Sequence, residues 1–273
     1  MMPADRRDSP HLWPDTLPGL ALSRRGAVVS LRIDAPPLNL LTQTVRRSLG
    51  DAFLAAAVDE SVRCMVFLPG SRHLCAGADL SEFPARRDAA VAAAHADNAQ
   101  RMIRALVGCP KPVVMAVEGA CLGGGYELAL GCDVIIAARD ARIGLPEIHR
   151  GVWPATGGLA LLARRIGGTG AKALAWAGEI LDAESALAMT LVDQLADPGQ
   201  AEAVALEQAE RLAAAPAGGI QDIKDMIDHA FVAAFDRHLE FERKAYVRAF
   251  GRTDAKEGFV AFHEKREARW LHH

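Results

Sequence analysis

The sequence predicts an α/β core followed by an α-helical C-terminal region. In the first half of the chain, short apolar runs bounded by glycine and proline alternate with amphipathic segments. Such runs are typical of strands buried on both faces of a parallel sheet. From about residue 156 onward the apolar residues recur at helical spacing throughout. With 273 residues, 51% of them hydrophobic, the chain can bury one substantial core.

The predicted elements follow in chain order. We expect a loose arm over residues 1–19, a core over 20–198 and a helical region over 199–273. Thr42 is the expected N-cap of the first helix, because its hydroxyl can accept a hydrogen bond from the first turn. The expected strands cover 26–33, 63–70, 112–119 and 132–138; the expected helices cover 42–57, 156–168, 169–179, 182–192, about 199–215, 218–250 and 254–270.

Composition excludes several classes of partner. The formal net charge is -3 with both signs interspersed, which disfavours a nucleic acid or an anionic membrane surface. No stretch approaches the roughly 20 apolar residues of a membrane span, and the N-terminal residues lack the apolar run of a secretory signal. The five cysteines show no metal-ligand spacing and lie among apolar neighbours. We therefore expect reduced core cysteines, no metal and a cytoplasmic location.

A run of three glycines precedes a carboxylate in CLGGGYELALGCD, residues 121–133. The dinucleotide pattern G-x-G-x-x-G fails because Leu128 stands where glycine is required, and a P-loop fails because Gly125 and Tyr126 follow Gly124. What remains is a glycine turn that opens a helix with Glu127 in its first turn. Unpaired N–H groups at such a helix start can form an oxyanion hole. Close packing of the helix against a strand is the alternative explanation.

Two further segments have related features. CAGADL, residues 75–80, places glycine and alanine directly after a predicted strand, where backbone N–H groups can again be free. ARIGLPEIHRGVWPATGG, residues 141–158, places Glu147 between the apolar residues Pro146 and Ile148. These flanks argue against the alternative of a solvated surface carboxylate.

Together and in this order, the segments resemble the crotonase superfamily, also called the enoyl-CoA hydratase/isomerase family. The likeness runs from about residue 20 to the C-terminus through PPLNLL, CAGADL, KPVVMAVEGACLGGGYELALGCDVIIA, GLPEIHRGVWPATGG and KEGFVAFHEKR. The resemblance implies a crotonase-like ββα-superhelix spiral core and a C-terminal α-helical trimerisation region. It also implies an acyl-CoA thioester substrate and a homotrimer or a hexamer, as a dimer of trimers. No cofactor is implied beyond the coenzyme A of the substrate.

The resemblance further implies how the reaction centre is built. The N–H groups of Ala78 and Gly124 match the oxyanion hole that stabilises a thioester enolate. Hydratases of the family have glutamate at both positions matched by Glu127 and Glu147. We expect Glu127 to orient a water as base and Glu147 to give a proton to Cα. The implied activity is an enoyl-CoA hydratase of fatty-acid or related acyl-CoA degradation; a Δ3,Δ2-enoyl-CoA isomerase, a specialised acyl-CoA dehydratase and a non-catalytic acyl-CoA-binding paralogue are the alternatives.

Other positions are expected to contact substrate by the same resemblance. Tyr246 and Lys265 match an aromatic residue and a lysine that lie near the adenine and phosphates of CoA in the family, reaching a neighbouring subunit's site; surface packing is the alternative for both. Ser81 and His149 depart from residues frequent in the family, which leaves the acyl chain length open. The remaining expected contacts are Ala76, Gly77, Asp79, Leu80, Gly123, Trp153 and Gly157.

Overall fold

A computed structural model describes residues 12–271 of the chain. In chain order its strands are β1 (Leu20–Arg25), β2 (Val28–Ile33), β3 (Cys64–Leu68), β4 (Val113–Val117), β5 (Ala120–Leu122), β6 (Val134–Ala138), β7 (Arg142–Gly144), β8 (Ile180–Asp182) and β9 (Gln194–Ala196). Its α-helices are α1 (Gln43–Val58), α2 (Ala89–Val107), α3 (Gly124–Leu130), α4 (Gly158–Ala177), α5 (Ala183–Ala188), α6 (Ala201–Ala214), α7 (Ala217–Phe250) and α8 (Thr253–His263).

The strands form two sheets. The larger sheet has the order β1-β2-β3-β4-β6-β9, in which β1 and β2 are antiparallel and the other neighbours are parallel. The smaller sheet has the order β5-β7-β8. The chain passes from β4 to β5 and from β6 to β7, so that consecutive strands alternate between the two sheets before a helical segment follows. This strand–strand–helix progression confirms the predicted spiral α/β core and the helical C-terminal region.

The core sits mainly on the two faces of the larger sheet. Every residue of β3 and β4 is buried, as predicted for strands covered on both sides. All five cysteines are buried and unpaired, which confirms their reading as core residues. The Thr42 hydroxyl accepts a hydrogen bond from the Val45 N–H at 3.2 Å, so the predicted N-cap of α1 is also confirmed.

The prediction of helix throughout after residue 156 was wrong. Two short strands, β8 and β9, lie there and complete the two sheets by pairing with β7 and β6. In contrast, α4 is interrupted by a kink at Gly167 (φ 72°, ψ 162°), so that two helical segments meet close to the boundary predicted between residues 168 and 169. β1 was not predicted either: it is a polar edge strand held by pairing to β2, and pairing leaves no apolar pattern in the sequence.

The expected loose arm over residues 1–19 is contradicted where the structure describes it. Residues 1–11 of that arm lie outside the described part of the chain. In contrast, Trp13 and Leu17 pack against the main core, and the Trp13 indole N–H donates a hydrogen bond to Asp59 Oδ2 at 2.8 Å. Residues 12–19 are therefore attached to the core, and the expectation was wrong for them.

The first half of α7 presents apolar side chains to the outside. Ile223 and Ile227 recur at helical spacing on this helix, yet they are 60% and 66% exposed. Further along α7, Phe235 and Leu239 are buried in the core of the same chain. The helix thus has one half covered by its own chain and one half uncovered within it. Among residues 12–271, no helix combines the length and apolarity needed to cross a membrane.

Candidate active site

The glycine run opens α3 at the edge of a cavity. Gly123 adopts φ 52° as the residue before the helix, a conformation that favours glycine. A Cβ atom on Gly125 would lie 2.6 Å from the backbone oxygen of Cys75, so this glycine permits close packing. Gly124 begins the helix, and its N–H has no hydrogen-bond partner among residues 12–271. The packing explanation therefore applies to Gly125, while Gly124 keeps a free donor.

A second free donor lies beside Gly124. Leu41 donates its N–H to Gly77 O at 2.9 Å and accepts from the Asp79 N–H at 3.5 Å. The Ala78 N–H between them is left without a partner in the described part of the chain. A Cβ atom on Gly124 would lie 3.9 Å from the Ala78 nitrogen. The two N–H groups named from the sequence are thus neighbours, as an oxyanion hole requires.

Glu127 extends from the first turn of α3 into a buried position. Its Oε1 accepts hydrogen bonds from the Thr156 N–H at 2.7 Å and the Gly158 N–H at 3.0 Å. Burial, together with the nearby carboxyls of Glu147 and Glu242, raises the pKa of Glu127 to about 8. The two N–H donors act in the opposite direction, because they favour the ionised form.

Glu147 approaches from the other side of the cavity. It belongs to a short 3-10 helix, Pro146–Arg150, and its Oε1 lies 2.9 Å from where a Cβ of Gly123 would stand. Its Oε2 is buried without a hydrogen-bond partner among residues 12–271. Burial raises the pKa of Glu147 to about 7, although Arg150 opposes this effect. Two carboxyls with raised pKa values, titrating as a pair, are suited to hold one shared proton near neutral pH.

These groups share one cavity of about 560 Å³. The side chain of Asp79 stabilises the cavity wall. Its Oδ1 accepts a hydrogen bond from the Ser81 N–H at 2.9 Å and caps a short 3-10 helix. The sequence-predicted residues that line the cavity are Ala76, Gly77, Ala78, Asp79, Leu80, Gly123, Gly124, Glu127, Glu147, Trp153 and Tyr246.

The model of the enoyl-CoA hydratase/isomerase family matches residues 23–273. The chain belongs to this family. A Bacillus subtilis protein named "Probable enoyl-CoA hydratase" is 34% identical over 247 residues, covering 89% of this chain and 95% of that protein. The 2,3-dehydroadipyl-CoA hydratase of Escherichia coli is 33% identical, covering 90% and 96%. The crystal structure of an enoyl-CoA hydratase from Mycobacterium avium subsp. paratuberculosis superposes with a TM-score of 0.85 at 29% identity, covering 94% of this chain and 100% of that one.

Two positions of this family member differ from expectation, and a third stays untested. Tyr246 is buried in the cavity of its own chain, where its hydroxyl accepts from Arg86 Nη1 at 3.2 Å; the expectation that it reaches a neighbour's site was wrong. Gly157 does not line the cavity. Its N–H donates to Glu242 Oε1 at 3.0 Å, and a Cβ there would stand 2.4 Å from the Phe235 ring. Lys265 is exposed beyond α8, and its contact with CoA stays a prediction.

Sequence reasoning missed several polar residues at this site. Glu242 of α7 is buried behind Glu127, and the cavity wall includes Arg46, Arg86, His95 and Arg150. Arg46 directly follows the buried Val45 on α1, which is a weak sign of an inward position. The others had no such sign, because they meet only when segments far apart in the chain pack together. Within residues 12–271, no group of three or more His, Cys, Asp or Glu side chains is arranged to hold a metal ion.

Proposed function

We propose that the protein is an enoyl-CoA hydratase, which reversibly adds water to a trans-2-enoyl-CoA and forms a 3-hydroxyacyl-CoA. The observation that carries this proposal is the placement of Glu127 and Glu147 in one cavity with the free N–H groups of Ala78 and Gly124. The named hydratases among the relatives support it. The reaction exchanges no electrons with a second molecule, so the proposal includes no cofactor besides the substrate's coenzyme A.

The proposed mechanism begins at the thioester oxygen. The N–H groups of Ala78 and Gly124 bind this oxygen and stabilise it as negative charge develops, contributing roughly 3 to 4 kcal/mol each. A water held between the carboxyls bonds through its oxygen to Cβ while its proton passes to the base. The C=C electrons move into the enolate. When the enolate collapses, Cα takes a proton from the acid and the thioester is restored. The base has gained one proton and the acid has lost one, so the two carboxyls together hold the same number of protons as before.

Within this mechanism we assign Glu127 as the base and Glu147 as the acid. The two backbone N–H bonds to Glu127 Oε1 stabilise a carboxylate. The Oε2 of Glu147 is buried without a hydrogen-bond partner among residues 12–271, which makes it a suitable position for a proton. Because the two carboxyls titrate as a pair, the raised pKa values of about 8 and about 7 belong to the pair, and the hydrogen-bond pattern carries the assignment.

Hydration of crotonyl-CoA tests the proposal directly, because saturation of the double bond removes the absorbance of the conjugated thioester. The matched substrate is a 3-enoyl-CoA, in which that absorbance would appear if the enzyme were an isomerase. We expect loss of absorbance with the 2-enoyl thioesters and no conjugation of the 3-enoyl thioesters. Conjugation without hydration would establish the isomerase instead, and binding of both thioesters without turnover would establish an acyl-CoA-binding paralogue.

We also propose that the protein assembles as a homotrimer or a dimer of trimers and acts in the cytoplasm. The exposed apolar side chains of α7 support the assembly: Ile223, Met226 and Ile227 are 60%, 79% and 66% exposed. Unpaired buried cysteines support a reducing compartment. Light scattering after size-exclusion chromatography measures the mass of the assembly. An Ile227→Asp variant is expected to release monomers if α7 forms the contact, whereas a wild-type monomer would contradict the proposal.

A further inference from the structure

Two buried arginines line the cavity beyond the oxyanion hole. Arg46 of α1 and Arg86, in the 3-10 helix Pro84–Arg87, are only 2% and 3% exposed. Arg46 lies close to the reaction centre, since a Cβ atom on Gly124 would stand 3.9 Å from its Nη2. A guanidinium stays charged at neutral pH, and burying it is costly unless an anion and hydrogen-bond acceptors surround it.

The hydrogen bonds of Arg46 are incomplete. Its Nε and Nη1 are buried without a hydrogen-bond partner among residues 12–271. Its nearest carboxylate oxygen is Glu82 Oε2, which is 3.9 Å from Nη1 and thus beyond hydrogen-bond distance. That same oxygen accepts from Arg86 Nη2 at 2.9 Å, and Arg86 Nε also has no partner among these residues. The pair of arginines therefore retains donors that no acceptor in the described chain satisfies.

The charges around the pair do not balance. Glu82 is one carboxylate facing two guanidinium groups. The other titratable neighbours are neutral at physiological pH: burial lowers the pKa of His95 and raises the pKa values of Tyr246 and Cys75. Arg150, the third arginine of the cavity wall, interacts with Glu147. The region around Arg46 and Arg86 thus carries a net positive charge inside the cavity.

We propose that the acyl chain of the substrate carries a carboxylate, which Arg46 binds with the support of Arg86. This inference rests on the proposed function and specifies its substrate class. A carboxylate supplies the permanent negative charge and the acceptor oxygens that the two guanidinium groups lack. The thioester oxygen is a poorer partner for Arg46, because it is neutral until the enolate forms and already has two N–H donors. The short distance from Arg46 to Gly124 indicates a short chain between thioester and carboxylate.

The inference is tested with matched six-carbon thioesters that differ only at the far end. The substrates are trans-2-hexenoyl-CoA and its analogue with a terminal carboxylate, compared by kcat/KM for hydration. We expect the carboxylate to raise kcat/KM by about 10-fold or more, since a buried charge-assisted pair is worth that much. Equal turnover, or better turnover of the uncharged substrate, overturns the inference while leaving the hydratase proposal intact.

Substitution of Arg46 tests whether this side chain binds the carboxylate of the substrate. Arg46→Met should lower kcat/KM for the carboxylated substrate by about 10-fold or more beyond any loss with the uncharged substrate. Arg46→Lys should restore part of the preference, and Arg47→Met, on the exposed neighbouring residue, should change neither value. An equal loss with both substrates would mean that Arg46 assists the oxyanion hole, and would overturn the inference.

Equilibrium binding separates failure of this inference from failure of the proposed function. The probes are hexanoyl-CoA and the saturated six-carbon thioester with a terminal carboxylate, neither of which can be hydrated. Calorimetry with the wild-type protein should give a Kd at least about 10-fold lower for the carboxylated probe. This result would support the inference even if no enoyl-CoA were turned over, and equal or weaker binding would overturn it. This comparison uses only the wild-type protein, so its outcome does not depend on whether a variant folds.

Discussion

The backbone N–H of Gly158 lies 3.0 Å from Oε1 of Glu127, and a Cβ atom on Gly158 would come within 2.4 Å of the same oxygen. The residue that holds the carboxylate is therefore one that leaves no room for a side chain. The neighbouring Gly157 N–H donates to Glu242, so successive N–H groups of one turn orient two buried acids. The start of α4 thus positions Glu127 without contacting the substrate itself.

Gly158→Ala should displace Glu127 and lower kcat by about 100-fold, because a misplacement of about 1 Å can cost that much. Steady-state hydration kinetics measure the change. The matched control is Gly168→Ala in the same helix, where a Cβ atom meets nothing within 4 Å. Near-normal kcat in Gly158→Ala would contradict the positioning of Glu127 by this turn.

Glu127→Gln and Glu147→Gln should each lower kcat by about 100-fold or more, since each removes a positioned base or acid while keeping the side-chain shape. Thermal melting should show both variants folded. Glu207→Gln, on an exposed face of α6, is the control and should retain normal kinetics. If both active-site variants kept their activity, the roles assigned to this pair would be wrong.

The pH dependence of kcat/KM should be bell-shaped. Activity requires one ionised and one protonated carboxyl, and the pair has pKa values near about 7 and about 8. Below the lower value both groups are protonated and the base is lost; above the higher value both are ionised and the acid is lost. Initial rates from about pH 4 to about pH 10 measure the profile. If kcat/KM instead changed near pH 4.5, the ordinary pKa range of a glutamate, the carboxyls would not be desolvated.

The same carboxyls should make the folded protein less stable as pH rises, whereas a carboxylate in an ordinary ion pair makes it less stable as pH falls. A folded-state pKa above the unfolded value means that the folded protein binds the proton more tightly. The resulting stability is fully present below about pH 4.5, the unfolded value, and is lost as pH rises through about 8 for Glu127. Glu127→Gln should therefore be more stable than the wild type in alkaline solution, measured by urea unfolding at several pH values. Identical pH dependence in the two proteins would refute the raised pKa.

Trp13→Phe should lower the free energy of unfolding by about 1 kcal/mol through loss of the hydrogen bond to Asp59. Chemical denaturation measures this change. Trp176→Phe, at a side chain that is 70% exposed, is the control. No difference between the two variants would indicate that residues 12–19 are not fastened to the core by this contact.

Much of the reaction centre was predictable because it is encoded locally. Glycine before Glu127 fixes both a helix start and a carboxylate in its first turn, and these two features depend only on neighbouring residues. Ala78 within CAGADL and Glu147 beside Pro146 were instead predicted from the family resemblance, because neither segment alone identifies a role. The buried strands were predictable as well, since burial on both faces requires continuous apolar runs.

Other features followed from contacts between distant segments. β1 and β9 exist because partner strands satisfy their backbone groups, and such pairing imposes no apolar pattern. Tyr246 entered its own cavity because α7 packs across α2, bringing its ring over that of His95. Neither the strands nor this placement can be read from periodicity.

Sequence patterns predicted the α/β class, and the family resemblance of its motifs identified the segments of Ala78 and Gly124 and the two glutamates as candidate site residues. The burial of Arg46 and Arg86 in the wall of the same cavity, with Glu82 as a single carboxylate between two cations, became visible only in the folded chain. The physical reason is that an arginine in a helical segment ordinarily faces water, where its charge costs nothing. Its burial is enforced by residues far apart in the chain, and the unsatisfied charge that results becomes visible only when those residues meet.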